Sequence, residues 1–290
     1  MTRLVTSFLR LIGAGVMFVY FGVGSLLLSY VLLPWSRRGA TTEAERVRRA
    51  HALITRGFAQ FHAIMRAFRL LEYDPRAVRV ALPDGPCVLV CNHPTLIDVT
   101  ATCAAIGSCC TVVRGDLFGN VFLGRILRSA WHIDAGDGAS MAGAAVVQGG
   151  LDRLAAGFRV LIFPEGTRSP AGWIRRFRRG AFEIACRADV PLVPLFLACT
   201  PPALAKGLPW YAQPKRLVFY AIEPLGVFRP SDFGGDARRL ARHVQAMYRA
   251  RVEAWRAANP EDVPPLPQRA EPDAEDGADA ETKRDHHGRP

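Results

Sequence analysis

Two short segments carry side chains that can do chemistry together. In Asn92-His93-Pro94-Thr95-Leu96-Ile97-Asp98 a histidine and an aspartate are separated by four residues. In Phe163-Pro164-Glu165-Gly166-Thr167-Arg168-Ser169 a glutamate and an arginine flank a glycine turn. Histidine accepts protons near neutral pH, and a carboxylate on its Nδ1–H fixes the tautomer and raises the basicity of Nε2. Within one helix, residues five apart point about 140° away from each other. Asp98 therefore reaches His93 if His93 precedes the first turn, and Pro94 suits the first helical position. Such a pair is the base and orienter of a triad without the serine, the nucleophile being a hydroxyl of the substrate. Arg168 can grip a phosphate bidentately, helped by the Thr167 hydroxyl and the backbone N–H groups around Gly166. Glu165 is expected to hold Arg168 in place or to bind a substrate hydroxyl. The two segments together suggest proton abstraction beside a phosphate.

Each segment follows an apolar, strand-like run, so both should emerge at the carboxyl edge of a sheet, where open α/β sheets place their ligands. Strands are expected at Val78–Leu82, Cys87–Cys91, Cys110–Val113, Trp131–Asp134, Val160–Phe163, Leu192–Leu197 and Leu217–Ile222. Helical runs lie between them at Leu96–Ala105, Leu117–Ser129, Ala139–Ala156 and Ala181–Ala188, and a basic helix, Asp236–Ala258, closes the domain. This alternation predicts an α/β fold with a mainly parallel sheet flanked by helices. Upstream, Glu43–Leu71 has the helical rhythm of Val47, Ala50, Ile54, Phe58, Phe61, Met65 and Phe68, with Arg on the opposite side. It reads as a helix packed on the domain or a basic amphipathic helix on a membrane surface.

Leu11 to Leu33 is a run of 23 residues without a charge, which as a helix of about 34 Å matches a bilayer core of about 30 Å. A cleaved signal peptide is the rival reading; the run exceeds the usual apolar region of about 7–15 residues, and Pro34-Trp35-Ser36 makes a poor cleavage site. A retained N-terminal membrane helix is expected, spanning or re-entrant. Arg37, Arg38, Arg46, Arg48 and Arg49 follow it, which puts the body on the cytoplasmic side of the inner membrane. The expected organisation is an anchor at 1–38, an amphipathic basic helix at 39–76, the main domain at 77–258 and an acidic Pro-rich disordered tail at 259–290. From Pro260 on there are nine acidic and four basic residues, so of the net +11 the body carries +16. With the anchor, that charge points to anionic lipid, and no zinc-finger or RNA motif argues for nucleic acid. The seven cysteines read as reduced thiols of a cytosolic core. Cys87, Cys91 and His93 imitate half a zinc site, but no second ligand pair follows, so no metal is expected.

The series Asn92-His93-x4-Asp98, Phe163 to Ser169, Phe177-Arg178-Arg179-Gly180-Ala181-Phe182 and Val190-Pro191-Leu192-Val193-Pro194 resembles the ordered motifs of the 1-acyl-glycerol-3-phosphate acyltransferase family over roughly Ala77 to Leu225. The resemblance implies a glycerol-phosphate acyltransferase-like fold and transfer of an acyl chain to the hydroxyl of a lysophospholipid, giving phosphatidate from 1-acyl-glycerol-3-phosphate. The donor would be acyl-CoA or acyl-carrier protein, a substrate rather than a cofactor, with no metal and no acyl-enzyme. It makes His93 the base, Asp98 its partner, and Glu165, Gly166 and Arg168 the ligands of the acceptor phosphate; Asn92 and Thr167 complete the expected substrate-binding set. The family's second block usually brings an Arg close after an Ile-Asp-like pair; here His132-Ile133-Asp134-Ala135-Gly136-Asp137 has Ala135 there, with Arg114 or Arg125 as candidates to compensate. Thr200 to Tyr211 is similar to a bacterial subgroup associated with aryl polyene and other unusual lipids, so a specialised lipid acceptor is the alternative. A hydrolase would lack a Gly-x-Ser-x-Gly elbow, and an inactive lipid-binding scaffold would have no reason to keep His93, Asp98, Glu165 and Arg168 together.

Overall fold

The structure, a computed structural model, describes residues 2–75, 78, 81–136, 140–209, 211–212 and 214–264. Helix α1 (Thr2–Leu27) continues through a π-helical turn (Leu28–Leu32) into α2 (Leu33–Ser36), and α3 (Glu43–Ala67) follows, capped by Thr42, whose side chain accepts from Glu45 N. Then come β1 (Leu71–Tyr73), β2 (Val88–Cys91), α4 (Asp98–Ile106), β3 (Cys109–Val113), a 3₁₀ turn (Gly115–Gly119), α5 (Gly124–Ser129), β4 (Ile133–Asp134), α6 (Ser140–Ala155) and β5 (Arg159–Ile162). Helix α7 (Gly180–Ala188), β6 (Leu192–Thr200), β7 (Val218–Pro224) and α8 (Ala237–Ala258) complete the domain.

The strands form a seven-stranded sheet in the order β1-β7-β6-β2-β5-β3-β4, parallel throughout except for the antiparallel pair β6–β7. The α/β expectation with a mainly parallel sheet holds. Because side chains alternate across a strand, β2 sends Leu89 and Cys91 to one face and Val88 and Val90 to the other, and all four are fully buried. On the first face they meet Phe61 and Met65 of α3, Ala101 and Ile106 of α4 and Met17 of α1. On the second they meet Val147 of α6, Phe182 and Ile184 of α7 and Val244 and Tyr248 of α8. Tyr248 donates its hydroxyl to the carbonyls of Val90 and Leu195, so burial of its phenol leaves no unpaired oxygen.

Several local expectations change. Val78–Leu82 is not a strand: Val78 and Ala81 are helical, and Arg79 and Val80 lie outside the described residues. The helix expected to reach Leu71 stops at Ala67, because Arg69 takes φ 54° and turns the chain into β1. The helix expected over Leu117–Ser129 is broken at Asn120, which is extended and whose Oδ1 accepts from Phe122 N and Leu123 N, holding a turn ahead of a separate, shorter α5. Positive φ at Trp131 shortens the strand expected from Trp131 to Asp134. Asp137 and Ala139, Trp210, and the tail from 265 on, with His286 and His287, lie outside the described residues.

Candidate active site

The β2 strand ends at Cys91, and Asn92 turns the chain by a reciprocal clip: its Nδ2 donates to Leu197 O at 2.8 Å and its Oδ1 accepts from Leu197 N at 2.7 Å. Each end of the amide makes a bond to β6, so Asn92 holds the sheet edge beside the expected site. His93 lies outside α4, and Asp98 opens that helix. The ring and carboxylate meet as the spacing requires, with His93 Nδ1 to Asp98 Oδ2 at 2.7 Å. Asp98 is 0 % exposed and the His93 side chain 17 %. A buried carboxylate persists when its lone pairs are filled. Oδ2 also accepts from Thr95 N at 2.7 Å, while Oδ1 accepts from Thr95 Oγ1 at 2.5 Å and from Tyr220 Oη at 2.7 Å. Tyr220 comes from β7 and is buried; desolvation first, then the Asp98 charge, holds its phenol well above the usual range, so it donates. With Nδ1–H committed to Asp98, Nε2 is left as the acceptor.

The second motif grips the first through the main chain. Glu165 Oε1 accepts from His93 N at 2.8 Å, Ser169 N donates to His93 O at 2.9 Å, and the His93 ring lies 4.5 Å from that of Phe163. Glu165 Oε2 accepts from Arg175 N at 2.8 Å and from the Ser169 hydroxyl. Burial pushes the Glu165 carboxyl up, and these donors oppose that. Glu165 faces these donors and makes no ion pair with Arg168, which corrects the expectation that it holds Arg168 in place. The reason is burial: Glu165 is 4 % exposed, a place where three neighbouring donors need an acceptor. Gly166, at φ +71°, turns the chain so that Thr167 and Arg168 face outward. Arg168 is positioned through Nη1 on Leu204 O at 3.3 Å. The Arg178 guanidinium lies over this turn, its Nε 3.0 Å from where a Cβ on Gly166 would stand.

One cavity of about 1330 Å³ joins these groups to the N-terminal helices. His93, Gly166, Thr167, Arg168 and Arg178 line one part, and Ala14, Met17, Phe21, Leu28, Ile54, Phe58 and Phe61 of α1, the π turn and α3 line another. Ala135 lines it as well, and so does Arg114, which is paired with Asp116; Arg125 instead sits 4.4 Å from the Tyr30 ring centroid. Of the two candidates to replace the missing Arg, only Arg114 reaches the cavity. Thr95, Ser169, Tyr220 and the Arg175 backbone N–H escaped sequence reasoning. Thr95 and Ser169 stood within the motifs quoted, whereas Tyr220 lies 122 residues from Asp98 and no local pattern joins them.

Sheet, His–Asp pair and cationic turn define an α/β protein with a hydrogen-bonded His93–Asp98 pair at the carboxyl edge of its strands and an arginine-bearing turn beside it. Residues 69–198 match the Acyltransferase family model. This segment is similar to acyltransferase-family domains, and the resemblance to the 1-acyl-glycerol-3-phosphate acyltransferase family stands. The chain is 32 % identical over 143 residues to human 1-acyl-sn-glycerol-3-phosphate acyltransferase beta, covering 48 % of this chain and 49 % of that protein. It is 34 % identical over 122 residues to the human alpha form, covering 40 % and 42 %. The chain thus spans about half the length, or less, of these curated relatives. The crystal structure of the 1-acyl-sn-glycerophosphate acyltransferase PlsC from Thermotoga maritima shares the fold, with a TM-score of 0.66 at 18 % identity, covering 88 % of this chain and 98 % of that one.

Proposed function

We propose that this chain is a membrane-seated O-acyltransferase that moves an acyl chain from acyl-CoA or acyl-carrier protein to the hydroxyl of a lysophospholipid, most simply 1-acyl-glycerol-3-phosphate. The observation that carries this reading is the continuity of one cavity from the His93–Asp98 pair, past Arg168, to an apolar wall made by α1 and α3. His93 Nε2 takes the proton of the acceptor hydroxyl as its oxygen attacks the thioester carbonyl. The tetrahedral adduct collapses, the carbon–sulfur bond breaks, and the departing thiolate takes the proton back from the imidazolium. Asp98 stabilises the imidazolium between these steps. Arg168 and Arg178 hold the phosphate, and the apolar wall holds acyl chain, where each buried methylene contributes about 0.8 kcal/mol.

The cationic turn favours a phosphorylated acceptor, as do the activities named for the human relatives. Ala135 on the cavity wall favours a second reading, an acceptor bulkier than lysophosphatidate near that point. Conversion of labelled acyl-CoA and acyl-carrier protein by the full-length protein in membranes, with lysophosphatidate beside a non-phosphorylated lysolipid, tests the choice. Turnover of lysophosphatidate alone supports the first reading. Turnover of neither, with both donors, contradicts it.

The seat follows from α1. Along α1, the π turn and α2, the exposed residues Phe8, Ile12, Val16, Val19, Val23, Leu27, Val31 and Trp35 recur every three or four positions, an apolar stripe on one side of the continuous helix. The other side packs on the domain along its length: Arg10 Nη1 donates to Pro214 O and Lys215 O at 3.3 Å, and Ser29 Oγ to Phe122 O at 3.1 Å. Among the described residues Arg10–Ser36 is long and apolar enough to cross a bilayer. A helix bound to the domain near both ends instead rests its outer stripe in one leaflet, with the body on the cytoplasmic face of the inner membrane. Cysteine labelling at Phe8 and Trp35 from each side of sealed vesicles tests this, and labelling from opposite sides would contradict it.

A further inference from the structure

We propose that Tyr220 is a positioning residue for the base, acting through Asp98 to fix the orientation of the carboxylate against His93 Nδ1. The inference deepens the reading of His93 as general base and rests on it. Tyr220 lies on β7, beyond residues 69–198 that match the family model.

The geometry is a division of one carboxylate between two sets of donors. Oδ2 receives His93 Nδ1–H and Thr95 N–H, both at 2.7 Å. Oδ1 receives the Thr95 hydroxyl at 2.5 Å and the Tyr220 hydroxyl at 2.7 Å. The two Thr95 donors come from the same loop as His93 and move with it. Tyr220 is the donor that ties the carboxylate to the sheet. Its strand is paired on one side with β6, through Cys199 opposite Tyr220, and on the other with β1, through Tyr73. The Tyr73 ring meets that of Tyr220 edge-on, with centroids 5.8 Å apart, and donates its own hydroxyl to Ala101 O in α4. The phenol is therefore aimed from a rigid element, as a positioning group must be.

The other donors on Asp98 are His93 and the two of Thr95. Besides His93 and Tyr220, the titratable groups acting at this point are Cys91 of β2 and Cys199 of β6, buried thiols, Cys199 pushed up to about 12, and both neutral at physiological pH. Glu165 stands on the far side of His93, holding its backbone N–H. Loss of the phenol donor leaves Oδ1 with the Thr95 hydroxyl. The carboxylate then gains freedom to rotate and becomes a stronger acceptor for the proton on Nδ1.

Tyr220→Phe keeps the ring and its packing while removing the donor. It is compared with wild type as the full-length protein in detergent micelles, by kcat and KM for the acceptor and by the His93 Nδ1–H resonance in ¹⁵N-histidine-labelled protein, assigned with His93→Gln. The expected result is a displaced Nδ1–H resonance and a kcat lowered about tenfold or more, the scale of one hydrogen bond to a charged group, with KM unchanged within about twofold. Site-specific 3-fluorotyrosine at 220, a stronger donor that preserves the fold, should move the resonance in the opposite direction. An unmoved resonance in both proteins overturns the proposal, whatever happens to kcat, and so does a change confined to KM. A displaced resonance in a protein without acyl-transfer activity would leave Tyr220 in its place and count against the acyltransferase reading instead.

Discussion

Glu165 reaches His93 through the backbone: its Oε1 accepts the His93 N–H at 2.8 Å, while Oε2 serves Ser169 and Arg175. The glutamate of the second motif is thus a clamp on the base-bearing loop and on the start of the arginine-rich segment. Glu165→Ala leaves buried donors unpaired, each at about 1–3 kcal/mol. Thermal unfolding should show a loss of about 3 kcal/mol or more, and the residual activity should fall in kcat more than it rises in KM. A stable variant with a raised KM alone would return Glu165 to direct substrate binding.

On the proposed reading, Arg168 and Arg178, both on the cavity wall, hold the acceptor phosphate. Truncating Arg168 to Ala should raise the KM for lysophosphatidate about 10- to 100-fold, the range for a hydrogen bond to a charged group, with a smaller fall in kcat. Arg178→Ala should do the same more weakly, since its side chain is the more exposed of the two. Steady-state kinetics on both variants and the double variant settles the point; KM values equal to wild type would move the phosphate elsewhere.

Gly57 of α3 lines the cavity, and nothing lies within 4 Å of a Cβ built there. A Phe at 57 should project into the apolar part and leave His93 untouched. Competition between donors of different chain length should then shift toward the shorter, at about 0.8 kcal/mol for each methylene no longer accommodated. An unchanged profile would mean that the acyl chain lies elsewhere.

Burial makes the histidines around α3 and β4 poor bases. Desolvation takes His62 from 6.5 down to about 4, and His132, also opposed by His51 and Arg153, to about 3. His62 Nε2 lies 3.0 Å from Thr100 Oγ1, a hydroxyl that itself donates to Ile97 O, so the proton sits on Nε2. Its Nδ1 is buried without a partner. An unfolded chain takes up protons at these sites as pH falls through about 6.5, while the folded chain resists until about 4, so stability is full above the first value and lost toward the second. For His62 the loss is on the order of 3 kcal/mol. Comparing thermal unfolding at pH 7.5 and 4.5, His62→Gln should show a smaller acid loss than wild type; equal losses would contradict the assignment.

The parts of the site that were legible in the sequence are those carried by local chain. His93 and Asp98 could be paired because five residues and a proline fix the geometry, and Gly166 with Arg168 because a turn after a strand has few shapes. Partnerships with distant backbone were not legible. The Asn92 clip escaped because its partner, Leu197, is 105 residues away. Glu165 looked like a partner for Arg168 because the sequence shows neighbours and not burial. The sheet was largely readable from its apolar runs, yet β1 was hidden inside a helical rhythm that one left-handed residue, Arg69, cuts short. Tyr220 reaches Asp98 through strand order, which β6 and β7 reverse.

The most direct test of the account is acyl transfer from labelled acyl-CoA and acyl-carrier protein to lysophosphatidate in membranes, wild type beside His93→Ala, with thermal unfolding and membrane association measured on both. The account predicts that the variant folds, stays on the membrane and loses activity about 100-fold or more, as removal of a general base does. A folded variant with near-normal turnover would contradict it.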